Sequence, residues 1–264
     1  MPPDYSARIE APADPRLWPL ATELPPLITG DVHLWSADLD AIEAGARRLP
    51  LDSTEHARAA AFYFPQDAHR FRIGIWMRRS ILGLYLGEDP ACIRFRAGPH
   101  DRPELAGSHA PHRLRFNASH SGGIAVLALT LDNDVGVDVE IPRPLPDLLE
   151  IARDTFHPSE WAAIAGITDD IGRTAAFYRC WTRKEAIAKA VGLGLNLPFQ
   201  RFAVEIAPIE APVITTVGSE LCLDPSWSLR DFSAPPQMYG AVATTCAPRL
   251  LLRRSWHPEP HIYR

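Results

Sequence analysis

Residues 135–141 read Val-Gly-Val-Asp-Val-Glu-Ile, and this alternation predicts a β-strand with two different faces. Alternate residues of a strand share a face, so the four branched apolar residues point into a core. The opposite face carries a bare glycine and two carboxylates, Gly136, Asp138 and Glu140. Two like charges this close repel each other and require solvent or a cation. The stretch therefore predicts either a Mg²⁺ site, since Mg²⁺ prefers oxygen ligands, or a half-exposed strand with acids on its wet face.

A second informative stretch, residues 177–190, reads Phe-Tyr-Arg-Cys-Trp-Thr-Arg-Lys-Glu-Ala-Ile-Ala-Lys-Ala. It belongs to a helix predicted from about residue 174 to 191, before Gly192. Positions four apart share a helical face, which places Phe177, Trp181, Glu185 and Lys189 in one stripe. A stripe that begins with two aromatic residues is typical of a buried face, so its charged end predicts the wall of a cleft. Glu185 is then a candidate metal ligand and Lys189 a candidate phosphate contact, whereas an ordinary surface ion pair is the alternative.

The third stretch, residues 116–123, reads Phe-Asn-Ala-Ser-His-Ser-Gly-Gly. Its composition predicts a tight turn whose backbone N–H groups face an anion, with His120 as a further donor. A catalytic Ser–His pair is the alternative. That alternative is disfavoured because sequence neighbours rarely align for proton transfer, and because the chain has no Gly-x-Ser-x-Gly elbow.

Bulk properties narrow the class of protein. The 264 residues are 46% hydrophobic and 22% charged, which is typical of a globular protein. The net charge of −5 argues against a general nucleic-acid binder, so an anionic ligand must meet local Arg and Lys clusters. We expect a cytoplasmic protein without membrane attachment. The start of the chain does not resemble a signal peptide, the longest apolar run is too short to span a bilayer, and the four cysteines are dispersed.

The organisation of the chain suggests two α+β halves. Residues 1–30 are rich in Pro and Ala and predict an N-terminal arm, followed by lobes at 31–132 and 133–264. Within the first lobe, a helix is expected from Ser53 or Thr54 and another over 67–86. Placing Trp76 on Trp181 also places Gly87 on Gly192, which suggests a duplication with a cleft between the halves.

In combination these motifs resemble the phosphopantetheinyl transferase superfamily, specifically its larger, two-lobed, surfactin-synthetase-type branch. The resemblance covers most of residues 53–205 but neither the first 30 nor the last 40. The stretches that carry it are Arg58-Ala-Ala-Ala-Phe-Tyr, Asp67-Ala-His-Arg, Asp101-Arg-Pro, Phe116-Asn-Ala-Ser-His-Ser-Gly, Gly136-Val-Asp-Val-Glu, Trp181-Thr-Arg-Lys-Glu-Ala-Ile-Ala-Lys and Gly192-Leu-Gly-Leu-Asn-Leu-Pro. The acid pair followed by W-x-x-K-E-A-x-x-K is the most specific of them.

The resemblance implies an α+β fold of two similar lobes in pseudo-two-fold arrangement, with the active site in the cleft. It implies transfer of phosphopantetheine from coenzyme A, the co-substrate, to a serine of an apo acyl or peptidyl carrier protein, releasing adenosine 3′,5′-bisphosphate. Mg²⁺ is the implied cofactor, held by Asp138, Glu140 and Glu185. Glu185 is also the candidate base for the serine hydroxyl. A single chain containing both lobes is expected to act as a monomer.

The resemblance also implies contacts with coenzyme A. Lys189 is implied at the pyrophosphate with Lys184 close by, and Ser119 and His120 at the phosphates. The 3′-phosphate and adenine end is expected near Arg58, Arg70 and Arg102, although Glu55 and Phe71 depart from the residues that some relatives carry there.

The carrier is expected to contact the segment from Ile141 to Phe156. Apolar candidates are Leu145, Leu148, Leu149 and Ile151, with Arg143, Arg153 or the Arg78–Arg79 pair as basic ones.

Two other classes of function use the same residues. A Mg²⁺-dependent nucleotide phosphohydrolase would use water as the acceptor and would consume coenzyme A without a carrier. A non-catalytic module that binds coenzyme A or a carrier would bind without turnover. The sequence does not distinguish which carrier or pathway would be served.

Overall fold

The computed structural model describes Trp18, Leu24 and residues 26–45, 47–98, 102–109, 112–209, 211–219, 221, 223, 227–232 and 238–258. Most of the predicted N-terminal arm, together with Asp101 and Cys222, lies outside these residues. The three described cysteines, Cys92, Cys180 and Cys246, are free thiols. Within the described residues, no helix is both long and apolar enough to cross a membrane.

The fold is α+β, as predicted. Its first half contains β1 (Asp31–Asp38), α1 (Ser53–Ala60), α2 (Pro65–Leu86), β2 (Phe95–Ala97), β3 (Pro103–Leu105), β4 (Leu114–Ser121) and β5 (Ile124–Leu131). The second half contains β6 (Val135–Glu140), α3 (Leu148–Thr155), α4 (Pro158–Ala165), α5 (Asp170–Val191), β7 (Phe202–Val204), β8 (Ile214–Val217), β9 (Ser228–Phe232), β10 (Tyr239–Thr244) and β11 (Leu250–Ser255).

Two larger sheets organise the molecule. One has the strand order β11-β1-β5-β4, and the other has the order β6-β10-β9. Strand β11 pairs in parallel with β1, and Trp256 packs edge-on against Trp76 at 5.4 Å. The predicted boundary of a 133–264 lobe is therefore wrong at its C-terminal end, because the chain returns there to complete the N-terminal sheet.

Three hydrophobic clusters hold the elements together. One surrounds α3, α4 and α5, and a second lies between α2 and the four-stranded sheet. The third joins the two sheets, with Val32 and Leu34 of β1 packed among Val137 and Val139 of β6. Ile141, expected to extend this buried face, is 37% exposed. The sheets share a core, which fixes their positions on either side of the junction between β4 and β6.

The two long helices have matching ends. Both α2 and α5 contain 22 residues, and each ends at a glycine in the left-handed region, Gly87 with φ 68° and Gly192 with φ 84°. A residue without Cβ adopts this conformation without steric cost, which makes glycine the usual helix stop. These are the glycines that the sequence alignment of the halves superimposes.

A buried ion pair is also repeated. Glu55 and Glu160 each occupy the third position of a capping box, in α1 and α4 respectively. Glu55 lies 2.8 Å from Arg79 of α2, and Glu160 lies 2.9 Å from Lys184 of α5. The sequence separation within each pair is the same. The halves therefore share a device that fastens the long helix to the short helix before it.

Several local expectations need correction. The stretch predicted as a turn at 116–123 is mainly strand β4, and only Gly122 and Gly123 form the turn into β5. Neighbouring Asn, Ser and His residues favour turns locally, but pairing with β5 overrides that preference. The N-cap of α1 is Asp52 rather than Ser53 or Thr54.

Candidate active site

The site lies where α5 rests on β6. A Cβ atom added at Gly136 would overlap the carbonyl oxygen of Ala186 and the amide nitrogen of Ala190. The backbone of α5 therefore lies directly against the bare face of β6 that the sequence predicts. This close approach brings the charged end of the helix stripe, Glu185 and Lys189, to the carboxylates of β6.

Strand β4 approaches β6 from the other side and contacts it through side chains. Asn117, Ser119 and Ser121 occupy alternate positions of β4. Their hydrogen bonds to β6 measure 2.9 Å from Val137 N to Asn117 Oδ1, 2.8 Å from Ser119 Oγ to Asp138 Oδ1 and 2.7 Å from Ser121 Oγ to Glu140 Oε2. The two acids of the site thus lie at the seam between the two sheets.

Lys189 neutralises Asp138. Its Nζ lies 2.7 Å from Asp138 Oδ1 and also donates hydrogen bonds to Ser119 Oγ at 3.0 Å and to the carbonyl oxygen of Val137 at 3.2 Å. Asp138 is 4% exposed, and its Oδ2 atom is buried without a hydrogen-bond partner in the structure. A buried anionic oxygen without a partner costs free energy, so this position favours an added cation.

The pKa values of the other two carboxyl groups are raised. For Glu185 the main cause is burial, followed by the charge of Asp138. For Glu140 burial again comes first, opposed by the hydrogen bond from Ser121 and reinforced by the charge of Asp138. Burial, reinforced by the charge of Asp138, therefore makes ionisation of Glu140 and Glu185 more costly, and a nearby positive charge would lower that cost.

These three acids fit a hard divalent cation by their chemistry. All supply oxygen atoms, and one of these, Oδ2 of Asp138, is buried without a hydrogen-bond partner. In the part of the chain that the structure describes, no three Asp, Glu, His or Cys side chains already form a metal-binding cluster. At Asp138 and Glu140, Lys189 and the two serines occupy one oxygen of each carboxylate.

Two further predicted residues lie beside this cluster. The pKa of His120 is lowered by desolvation and then by the positive charges of Lys189 and Arg70. Arg70 forms a two-point hydrogen-bonded pair with Asp40, at 2.8 Å from Nε to Oδ1 and 2.6 Å from Nη2 to Oδ2. Lys189, His120 and Arg70 therefore place nitrogen donors next to the acids, and these three residues are called the donor edge. Nitrogen donors of this kind suit phosphate oxygens.

Lys184 does not belong to this edge. It is fully buried, pairs with Glu160, and donates hydrogen bonds to the carbonyl oxygens of Phe199 at 2.7 Å and Phe202 at 2.5 Å. All three donors of its ammonium are used. The prediction that Lys184 approaches a pyrophosphate is wrong, because its ammonium is buried and held by Glu160 and two backbone carbonyl groups.

Arg102 and Arg58 are placed differently again. The guanidinium of Arg102 donates to the carbonyl oxygens of Lys189, Ala190 and Val135, at 3.1, 3.3 and 3.0 Å. It thus ties the end of α5 to β6, and the expectation that it faces a 3′-phosphate is not met. Arg58 is exposed on α1 and lies over the ring of Phe71 at 5.2 Å, without a contact to the acids.

The segment expected to meet a carrier protein is only partly available. Leu148 is buried, and Leu145 and Ile151 pack against the core. Leu149 is 36% exposed, which leaves it as the apolar candidate on α3. Arg143 and Arg153 are exposed, whereas Arg79 is enclosed by Glu55 and Asp52 and Arg78 is largely buried.

Sequence reasoning missed the role of Ser121 and Asn117 in joining the sheets. The signal was present as a polar residue at every second position of 117–121, which is the period of a strand and not of a turn.

Comparison with known proteins places this geometry in a family context. Residues 134–243 match the model of the 4′-phosphopantetheinyl transferase superfamily, and residues 34–131 match that of the N-terminal part of 4′-phosphopantetheinyl transferases. The chain is 35% identical over 219 residues to the 4′-phosphopantetheinyl transferase HetI of Nostoc sp., covering 82% of this chain and 89% of that protein.

Two more distant relatives have related names. A 4′-phosphopantetheinyl transferase of Bacillus subtilis is 31% identical over 168 residues, which cover 64% of this chain and 72% of the relative. The L-aminoadipate-semialdehyde dehydrogenase-phosphopantetheinyl transferase of Mus musculus is 30% identical over 202 residues, covering 72% and 65% respectively.

Proposed function

The chain belongs to the 4′-phosphopantetheinyl transferase superfamily, and from this premise we propose that it transfers the 4′-phosphopantetheine moiety of coenzyme A to a serine of an apo carrier protein. The nucleotide product is adenosine 3′,5′-bisphosphate. The observation that carries the proposal is the junction of Asp138, Glu185 and Lys189 beside His120 and Arg70 of the donor edge.

We further propose that Asp138, Glu140 and Glu185 hold a Mg²⁺ ion. The unpartnered Oδ2 of Asp138 and the raised pKa values of both glutamates support this assignment. When bound, the ion offsets negative charge on the pyrophosphate and on the departing nucleotide. Lys189 in this proposal exchanges part of its contact with Asp138 for a phosphate oxygen, as a flexible ammonium can.

Glu185 is the proposed general base. The serine hydroxyl of the carrier must lose its proton as its oxygen attacks the β-phosphorus of coenzyme A, and the bond from that phosphorus to the nucleotide oxygen breaks. Burial raises the pKa of Glu185 from the ordinary value of a carboxyl group, which improves it as a proton acceptor. No covalent intermediate with the protein is needed. Lys189, His120 and Arg70 hold the phosphates in line with the incoming hydroxyl.

We place the carrier on the surface that borders Ile141 and Leu149, which are 37% and 36% exposed. Arg143 and Arg153 flank it and suit an acidic carrier. Because one chain supplies both the carboxylates and the donor edge, we propose that the enzyme acts as a monomer. We also propose that it works in the cytoplasm, where coenzyme A and apo carriers meet.

The test is the mass of an apo carrier protein after incubation with the chain, coenzyme A and Mg²⁺. We expect a gain of one phosphopantetheine unit that disappears without Mg²⁺ or in Glu185→Gln. Glu43→Gln removes an exposed carboxylate that has no role in this proposal and should leave the gain unchanged. Breakdown of coenzyme A without carrier modification would instead indicate a phosphohydrolase, and binding without turnover would indicate a non-catalytic module.

A further inference from the structure

Ser121 is the last residue of β4, and it faces Glu140, the last residue of β6. The arrangement repeats one step along both strands, because Ser119 faces Asp138 in the same way. The hydrogen bonds measure 2.7 Å from Ser121 Oγ to Glu140 Oε2 and 2.8 Å from Ser119 Oγ to Asp138 Oδ1. Two hydroxyl groups on one face of β4 thus donate hydrogen bonds to the two carboxylates of β6.

The direction of the Ser121 hydroxyl is determined by its other contact. Its Oγ accepts a hydrogen bond from the backbone N–H of Ile141 at 3.1 Å. With a lone pair occupied by that donor, the hydroxyl hydrogen points to Glu140 Oε2. Ser119 is oriented by the same logic, since Lys189 Nζ donates to its Oγ at 3.0 Å.

The tip of the β4–β5 hairpin keeps Ser121 in this register. A Cβ added at Gly122 would lie 2.9 Å from Cδ1 of Ile141, so the turn packs closely on the residue that follows Glu140. On the other side of the turn, the carbonyl oxygen of Gly123 accepts a hydrogen bond from the N–H of Leu39 at 2.6 Å. The turn that follows Ser121 therefore lies close to Ile141 and is bonded to Leu39, and Ser121 itself accepts the hydrogen bond from Ile141.

Each carboxylate of β6 consequently has one oxygen restrained and one available. Asp138 Oδ1 is engaged by Ser119 and Lys189, and Oδ2 has no partner. Glu140 Oε2 is engaged by Ser121, and no described residue donates a hydrogen bond to Oε1. A glutamate at the end of a strand has several accessible rotamers, and fixing one oxygen selects among them before any ligand binds.

We propose that Ser121 is a positioning residue that orients Glu140 for binding the divalent cation. The inference rests on the proposed assignment of Asp138, Glu140 and Glu185 to that ion. In this proposal Ser121 contacts neither the serine hydroxyl of the carrier nor the β-phosphorus of coenzyme A. Its hydrogen bond restricts the Glu140 carboxylate to fewer conformations, so less conformational entropy is lost when the ion binds.

The test measures binding of Mn²⁺, used as a spectroscopic substitute for Mg²⁺, by electron paramagnetic resonance in the absence of coenzyme A. Loss of a hydrogen bond to a metal ligand typically weakens metal binding by about 10- to 100-fold, and we expect a loss in this range for Ser121→Ala. Ser121→Thr retains the hydroxyl and should bind Mn²⁺ nearly as tightly as the wild type. Ser159→Ala removes an exposed hydrogen bond to His157 on α4 and serves as the matched control.

Kinetics with coenzyme A, carrier and Mg²⁺ separate positioning from a general structural defect. Ser121→Ala should raise the Mg²⁺ concentration needed for half-maximal rate and leave kcat at saturating Mg²⁺ close to that of the wild type. If Ser121→Ala does not fold, Ser121→Cys replaces it, since a thiol is a weak donor of similar size and should show the same loss.

The outcomes separate this inference from the proposed function. One outcome is that Glu140→Gln weakens Mn²⁺ binding and Ser121→Ala does not. That outcome would overturn the role of Ser121 and leave the metal assignment intact. If the wild type binds no Mn²⁺ but still modifies the carrier without any metal, the metal assignment fails and the inference fails with it. Weakening in Ser121→Ala with recovery in Ser121→Thr would support both.

Discussion

Replacing Lys184 by Met tests whether this lysine is structural or binds phosphate. The side chain is fully buried on α5, and its ammonium pairs with Glu160 of α4, which is 2% exposed. Burial lowers the pKa of Lys184, opposed by the charge of Glu160. Methionine has a similar volume and no charge, so Lys184→Met removes the ammonium while largely preserving the packing.

The expected loss of stability follows from what the ammonium leaves behind. Removing one partner of a buried ion pair typically costs about 3–5 kcal/mol, because the remaining charge is uncompensated. Glu160 keeps hydrogen bonds from the backbone N–H groups of His157 at 2.9 Å and Val204 at 2.7 Å. Because these bonds still stabilise its carboxylate, we expect a cost at the lower end of that range. We therefore expect a loss of about 3 kcal/mol, or roughly 6–12 °C in Tm for a chain of this size.

The assay is denaturant unfolding of Lys184→Met, Glu160→Gln and the double variant, followed by transfer kinetics on the folded protein. We expect the double variant to be more stable than the sum of the single losses predicts, because neither charge is then left unpaired. The KM for coenzyme A should not change. A variant with wild-type stability and a raised KM for coenzyme A would refute this reasoning and return Lys184 to the phosphates.

Three other expectations follow from buried groups. Burial lowers the pKa of His33 to about 4, so as the pH falls this histidine is protonated in the unfolded chain before it is protonated in the folded one. The free energy of unfolding, measured with denaturant, should therefore fall by about 3 kcal/mol between about pH 6.5 and pH 4. This loss should be smaller in His33→Asn. The raised pKa of Glu185 means that its ionisation opposes folding as the pH rises, so without metal Glu185→Gln should have a higher Tm at pH 7 while losing transfer activity. Gly136→Ala should cost more than about 3 kcal/mol in thermal unfolding because its Cβ meets backbone of α5, whereas Gly74→Ala, with open space at its Cβ, should not destabilise.

Elements with a clear period could be predicted closely. Strand β5 spans the apolar run from Ile124 to Leu131, and α5 ends where Gly192 follows the last turn. Strand β11 could not be predicted, because Leu-Leu-Leu-Arg-Arg-Ser does not alternate and its conformation depends on pairing with β1 across most of the chain length. The hairpin at β4 was missed for the same reason, since its local composition favours a turn.

The site was predictable to the extent that each strand or helix has a regular period. The two-residue period brings Asp138 and Glu140 to one face, and the four-residue spacing does so for Glu185 and Lys189. What the sequence could not supply is the environment of each charge. Lys184 is adjacent to Glu185 in sequence but points into the core of the second half, where Glu160 meets it.

One sequence offset relates positions of the first half to the carboxylates of the second. The sequence offset that matches Arg79 with Lys184 also matches His33 and Trp35 of β1 with Asp138 and Glu140 of β6. On β1 these positions are fully buried against α2, where the hydroxyl of Tyr85 lies 2.6 Å from His33 Nδ1 and 3.0 Å from Trp35 Nε1.

In the first half, aromatic rings thus fill the space between strand and long helix. In the second half, the same space is lined by Gly136 and the acids and is polar. The shared ion pairs keep both long helices in place, since Glu55 and Glu160 hold equivalent cations. With that support in common, the two halves differ in whether aromatic rings on β1 or carboxylates on β6 face the long helix. Exchanging the β1 pair for acids would therefore bury two charges without Lys189 or the serines of β4 to compensate them, and the sheet would lose stability without gaining a site.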